Sequence, residues 1–237
     1  MSKVIAVFGA GTGLGLSVAR RFGREGHRVA LVARRKDRLD ALVEQLSTEG
    51  IEAEAFPADL GDPDQAPGLV EAVRARFGRI DVVEYGPVDA NLSFTAATAL
   101  DAAALQRLIP LLLLTPVEIF HAVVPEMIER GDGAILMTTG VSAVHPMAGL
   151  GGPGVVMAAA RNHVHTLNAE LTGQGVYVGT LSVAAAIARS KVLENASTGS
   201  HTFDPTAFPV VDPDDLADVY WDMYTRRDQV ERIHPTW

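Results

Sequence analysis

Four glycines stand close together near the start of the chain: Gly9, Gly11, Gly13 and Gly15 in FGAGTGLGLSVARRF. The G-x-x-x-G-x-G spacing suits a backbone that turns sharply and lets a phosphate approach the main chain closely. A helix expected from Leu14 then aims its first amides and partial positive charge at the same spot, with Thr12 between the glycines. A turn kept glycine-rich only for tight packing is the alternative. The context argues against it, because the turn follows an apolar strand and opens a helix inside a βαβ unit. One strand later comes ARRKDRL, where no acidic residue stands to hold ribose hydroxyls. Arg34 and Arg35 instead present guanidinium groups that suit a 2′-phosphate, so NADP(H) is expected over NAD(H). The bland alternative, an exposed basic helix start, sets cations against the helix dipole.

Groups able to move a proton are sparser. Tyr85 sits just past the fourth apolar strand, and its phenol either donates toward a nicotinamide or packs over the cofactor as an ordinary pocket aromatic. Glu84 closes that strand; buried, its carboxyl would be pushed up, while at the strand's wet end or in a salt bridge it would not. Thr138, Thr139 and Ser142 follow the fifth strand and either orient a carbonyl or bond their own backbone in a turn. His145, in VSAVHP, carries an imidazole suited to acid–base work near neutral pH, or is merely exposed. His163 and His165 are two apart on a helix and face different directions. No two histidines and a carboxylate have metal-ligand spacing, so no metal is expected.

The elements that must position these groups alternate along the chain. Apolar runs at Val4–Phe8, Arg28–Ala33, Ile51–Pro57, Ile80–Glu84, Gly133–Thr138 and Val176–Val183 read as strands, with a short one near Val230–His234. Helical patterns cover Leu14–Glu25, Lys36–Thr48, Asp62–Phe77, Asp101–Arg130, Val155–Leu171 and Pro213–Arg226. Pro110 and Pro116 should bend the long one. Strict alternation implies parallel pairing with right-handed crossovers, hence a Rossmann-type doubly wound α/β sheet of about seven strands. Ligands then bind in the loops after residues 8, 33, 57, 84, 138 and 183. Nothing in the composition marks a second domain, so residues 1–237 are expected to form one, with 189–212 as a mobile, polar segment within it.

With the glycine turn, "ADL" at 58–60, "GRIDVV" at 78–83, "GAILMTT" at 133–139 and "AAARNHVHTLNAELTGQGVYV" at 158–178, the chain resembles the short-chain dehydrogenase/reductase family over nearly its whole length. The resemblance implies that Asp59, with Leu60, lies near the adenine, that Gly86 belongs to the cofactor crevice and that 189–212 is the substrate lid. It also implies that the helix containing Pro110 and Pro116, with the one from Val155, forms dimer or tetramer contacts. The family usually carries an Asn-Ser-Tyr-Lys tetrad, and those positions fall here on Leu112, Gly140, Pro153 and Met157. Its Asn-Asn-Ala-Gly stretch is replaced by Tyr85-Gly86-Pro87-Val88, and its Pro-Gly after the sixth strand by Val183-Ala184. None of the four tetrad replacements has a side chain that donates or accepts a catalytic proton.

Three functions remain open at this level. The first is an NADP(H)-dependent oxidoreductase of a small carbonyl-type substrate, a natural product among the candidates, with a non-standard relay through Tyr85, His145 or water. The second is a redox-neutral cyclase, isomerase or dehydratase that gains by orienting its substrate. The third is a non-catalytic nucleotide-binding partner subunit. A net charge of −9 speaks against general nucleic-acid binding. No cysteine is present, which excludes thiolate nucleophiles and makes a cytoplasmic setting the simplest. No apolar run of the roughly 20 residues of a membrane helix is evident.

Overall fold

The computed structural model describes residues 2–89, 93–197 and 208–236. Strand β1 (Val4–Phe8) is buried along its whole length, as a central strand covered on both faces must be. Helix α1 (Leu14–Arg24) turns Leu14, Val18 and Phe22 inward, and Gly26 reverses the chain beyond its end with φ +87°. Then follow β2 (Arg28–Ala33), α2 (Lys36–Thr48), β3 (Ala53–Pro57), α3 (Ala66–Phe77) and β4 (Val82–Tyr85). Helices α4 (Ala102–Ile109) and α5 (Thr115–Arg130) are followed by β5 (Gly133–Gly140), α6 (Pro153–Leu171) and β6 (Val176–Val183). A short pair, β7 (Ala186–Ile187) and β8 (Val210–Val211), brackets α7 (Lys191–Ser197); α8 (Pro213–Arg226) and β9 (Glu231–His234) complete the chain.

The described residues form a seven-stranded sheet in the order β3-β2-β1-β4-β5-β6-β9, every neighbouring pair parallel. One core lies on each face. Ile5, Val7, Leu31 and Leu136 pack under α1, α2 and α8, while Ala6, Phe8, Val83 and Ile135 pack under α3, α5 and α6. The expected doubly wound sheet is therefore present. Its strands start or stop a few residues away from the sequence reading: β3 begins at Ala53 rather than Ile51, and β5 runs on to Gly140. The small β7–β8 sheet was not anticipated, and residues 198–207 of the expected lid lie outside the described residues.

The single helix expected over 101–130 is two helices joined by a π turn over Pro110–Leu114. Pro110 has no N–H to give to the ladder, and the amide of Thr115 bonds back to the Pro110 carbonyl. This run, Ala102–Arg130, is long and apolar enough by length and composition to cross a membrane, contrary to the sequence reading. Here Ile119, Phe120, Val123 and Met127 of α5 pack on the sheet.

Candidate functional site

At the carboxyl end of β1 the chain must clear Pro87, which approaches from the loop after β4. A Cβ on Gly9 would sit 2.6 Å from the Pro87 backbone, and Gly9 has φ +98°, so only glycine fits without strain. Beyond it, Gly13 is the N-cap of α1 and supplies no side-chain cap, and no acidic residue stands in the first helical turn. The leading amides thus face the crevice with their partial positive charge uncompensated by a carboxylate. Gly11 is open, with nothing but the Gly9 carbonyl within 4.0 Å of a would-be Cβ. Leu14 and Gly15 are buried and begin the helix. The Thr12 hydroxyl donates to the Arg189 carbonyl at 2.9 Å, so it fastens the turn to the segment after β6.

Arg34 and Arg35 follow β2, exposed and with no ion pair among the described residues; Arg35 is the N-cap of α2. Asp59 is exposed after β3, and its carboxylate accepts from the Gly61 amide at 2.9 Å. Leu60 is buried, and its carbonyl accepts from Thr115 Oγ1 at 2.8 Å. These residues line the carboxyl ends of β1 to β3, the edge where a doubly wound sheet holds its ligands.

The end formed by β4, β5 and α6 is built differently. Tyr85 is 1% exposed, packed between Phe8 and Phe120, and its hydroxyl donates to the Leu111 carbonyl at 2.6 Å. That carbonyl is the one the π turn releases, because Thr115 bonds to Pro110 instead. Burial pushes the phenol well above its ordinary value, with a hydrogen bond to Thr115 acting the other way. The expected phenol open to the crevice is thus corrected: neighbouring strand residues point to opposite faces, and Tyr85 takes the face covered by α5.

Its neighbour Glu84 takes the other face. Also 1% exposed, it receives a 2.9 Å hydrogen bond from Thr138 Oγ1, which in turn accepts one of 2.6 Å from the Tyr220 hydroxyl. Burial pushes the Glu84 carboxyl up to about 8, opposed by the Thr138 hydrogen bond. Gly86 leaves room above this carboxyl, since a Cβ there would meet Glu84 Oε1 at 2.5 Å and Thr138 Oγ1 at 2.7 Å.

Thr139, 2% exposed, exchanges a 2.8 Å hydrogen bond with Ser182 and begins a polar chain that continues to Glu231 and Arg161. Its hydroxyl is committed to that chain, and so neither orients a carbonyl nor bonds its own backbone in a turn, the two roles the sequence offered. Ser142 is half-buried against the first turn of α6, 3.0 Å from where Gly154 would carry a Cβ. His145 is exposed, and its amide donates to the Val141 carbonyl at 2.8 Å. The structure therefore joins Glu84 to Thr138, and leaves Tyr85, Thr139 and His145 in three separate surroundings. Met157, half-buried, accepts a hydrogen bond from the Gly140 amide through Sδ at 3.3 Å; Pro153 and Leu112 are buried. Among the described residues no group of three histidines, cysteines or carboxylates could hold a metal ion.

Tyr220 had no signal in local spacing: it lies 82 residues from Thr138 and arrives on α8. Ser182, Glu231 and Arg161 are likewise brought together by pairing of β6 with β9 and packing of α6.

A sequence profile described as short chain dehydrogenase matches residues 3–198. Among curated proteins, a fatty acyl-CoA reductase of Mycobacterium tuberculosis is 31% identical over 183 residues, 76% of this chain and 61% of that protein. A short chain dehydrogenase of Pseudocercospora fijiensis is 30% identical over 174 residues, 73% of this chain and 56% of its own length. The chain thus spans less than two thirds of the length of these two relatives. A solved short-chain dehydrogenase from Sphingobium yanoikuyae, in complex with NADPH, superposes with a TM-score of 0.81 at 30% identity, covering 99% of this chain and 88% of that one.

Proposed function

The chain belongs to the short-chain dehydrogenase family, and on that premise we propose that it binds NADP(H) and acts as an oxidoreductase of a small carbonyl-type substrate with a non-standard proton relay. The observation that carries the reading is the pair of guanidinium groups, Arg34 and Arg35, exposed and without an ion pair among the described residues, beside a glycine turn and an uncapped helix start. The residues present fit a phosphorylated dinucleotide. The α1 amides with Gly11 and Gly13 would hold the pyrophosphate, Arg34 and Arg35 the 2′-phosphate, and Asp59 and Leu60 would border the adenine, with Gly86 on the crevice floor. A bound NADPH supplies hydride. The S. yanoikuyae relative, solved with NADPH, supports this reading.

The positions where the family usually keeps its tetrad carry Leu112, Gly140, Pro153 and Met157, and the Gly140–Met157 contact closes that corner with a thioether. General acid–base help is worth roughly 10²–10⁴-fold, so turnover by this chain draws its proton from elsewhere. Titrating NADPH into the protein while following nicotinamide fluorescence, then assaying NADPH consumption with ketones, imines and enones, tests both parts. A silent nucleotide titration would overturn the reading.

The same thioether-filled corner favours a second reading, a redox-neutral cyclase, isomerase or dehydratase. It predicts substrate conversion with no net change in NADPH. Exposed apolar side chains on one side of the molecule, Ile128 of α5 and Val155 of α6 with Leu114 of the π turn, support a homodimer or homotetramer, which sedimentation would register.

A further inference from the structure

A carboxylic acid at 1% exposure in the middle of the sheet is costly unless it has a task or a full set of partners. Glu84 lies on β4 between Val7 of β1 and Leu136 of β5 in register, and Tyr220 of α8 closes the same side through Thr138. Neither strand neighbour can take a hydrogen bond. Among the described residues no cation faces the carboxyl, and Tyr220 is the titratable group coupled to it. The hydrogen bonds run in one line, from the Tyr220 hydroxyl to Thr138 Oγ1 to Glu84. Tyr220 and Glu84 are sealed in, while Thr138 is half-buried at the carboxyl end of β5, where the sheet holds its ligands. Gly86, beside them, adds no side chain that would roof the line over.

We infer that Glu84, Thr138 and Tyr220 form the proton source of the crevice, with the Thr138 hydroxyl meeting the substrate oxygen and Glu84 as the acid behind it. This rests on the oxidoreductase reading above. For turnover the Thr138 hydroxyl turns from Glu84 to the substrate, and the protonated carboxyl donates to Oγ1 in its place across the same 2.9 Å. As the substrate carbon is reduced, its oxygen gains negative charge and takes the Thr138 proton. The Glu84 O–H then breaks as a new O–H forms on Thr138, the 2.9 Å separation serving a proton passed in either direction. Glu84 is left as a carboxylate and regains its proton from water by the reverse path. Tyr220 keeps Thr138 oriented by donating to it throughout. In this scheme Thr138 is the catalytic residue, and Glu84 and Tyr220 act through it. The carboxyl's elevated midpoint, about 8, leaves it protonated at neutral pH and able to give the proton up.

The test combines an infrared titration with turnover. The protonated carboxyl C=O band of the whole protein, compared with that of Glu84→Gln, should show one group protonated at pH 6.5 and titrating near 8. Thr138→Val should move that midpoint upward, because it removes the hydrogen bond that favours the carboxylate, and Thr138→Ser should restore it. In NADPH-consuming assays, Glu84→Gln and Thr138→Val should lower kcat by roughly 10²-fold or more, and Thr138→Ser, which keeps the hydroxyl, should recover a large part of the Thr138→Val loss. Glu84→Gln should also abolish the basic limb of the kcat profile near 8. NADPH binding by fluorescence should stay within about twofold of the parent in all three variants. A Glu84 ionised at pH 6.5, or Glu84→Gln matching the parent in kcat and pH profile, overturns the inference and leaves the oxidoreductase reading standing. Should the parent bind NADPH but consume none with any carbonyl, while the infrared band titrates as described, the oxidoreductase reading fails and the donor role of Thr138 fails with it.

Discussion

The carboxyl ends of β1 and β2 are finished with backbone and unpaired charge, whereas those of β4 and β5 are finished with packed side chains. At the first, Gly9 yields to Pro87, α1 starts without a side-chain cap and two arginines find no carboxylate among the described residues. At the second, a phenol serves a π turn, a thioether sits over Gly140 and an acid is buried under Gly86. The first arrangement leaves donors and positive charge without partners, which is unfavourable unless an anion completes it. The second ties its hydroxyls to one another and to backbone, and among the described residues leaves Glu84 with one hydrogen bond, from Thr138. On the function proposed above, the first end grips the nucleotide and the second offers the proton route.

The largest effect expected of any change to this contrast comes from Gly9→Val. It forces a β-branched side chain to φ +98° and into the Pro87 backbone. Strain of about 1–3 kcal/mol, with the added clash, should lower the melting temperature and abolish nucleotide binding. Arg34→Ala/Arg35→Ala should weaken NADPH binding on the order of 10²-fold, the weight of two charge-assisted hydrogen bonds, and leave NADH binding nearly unchanged. Equal losses for both nucleotides would erase the distinction between the two ends.

At the packed end, Tyr85→Phe strands the Leu111 carbonyl and should cost about 1–3 kcal/mol in denaturant unfolding. Its effect should fall on stability, with NADPH affinity within about twofold of the parent. Glu84 gives a smaller, pH-dependent effect. Its folded-state midpoint, about 8, lies above the unfolded carboxyl value near 4.3. The native state therefore binds more protons in that window, and stability falls as pH rises through it until it levels off above the folded midpoint. Glu84→Gln should flatten that slope, which parallel urea titrations at several pH values would reveal. The smallest effect belongs to His145→Ala, whose exposed side chain should alter stability by less than about 0.5 kcal/mol. A large loss of turnover in that variant would restore the loop histidine as a proton donor.

Much of the open end was legible in the sequence because its signals are local. Glycine spacing, the apolar run before it and two arginines after β2 all fall within single elements. The packed end depends on which face each strand residue takes and on partners far along the chain. One residue of alternation separates Tyr85, turned to α5, from Glu84, turned to α8. The prolines announced a bend in 101–130, but not that the freed Leu111 carbonyl would capture Tyr85. Thr139 shows no sign in its own neighbourhood that Ser182 of β6 would claim it.

Isothermal titration of the unmodified protein with NADPH and with NADH, under identical salt, addresses the central claim most directly. Saturable NADPH binding, tighter than NADH by about tenfold or more, is the predicted result, one charge-assisted hydrogen bond being worth that much. No binding of either nucleotide, or NADH bound as tightly as NADPH, would contradict it.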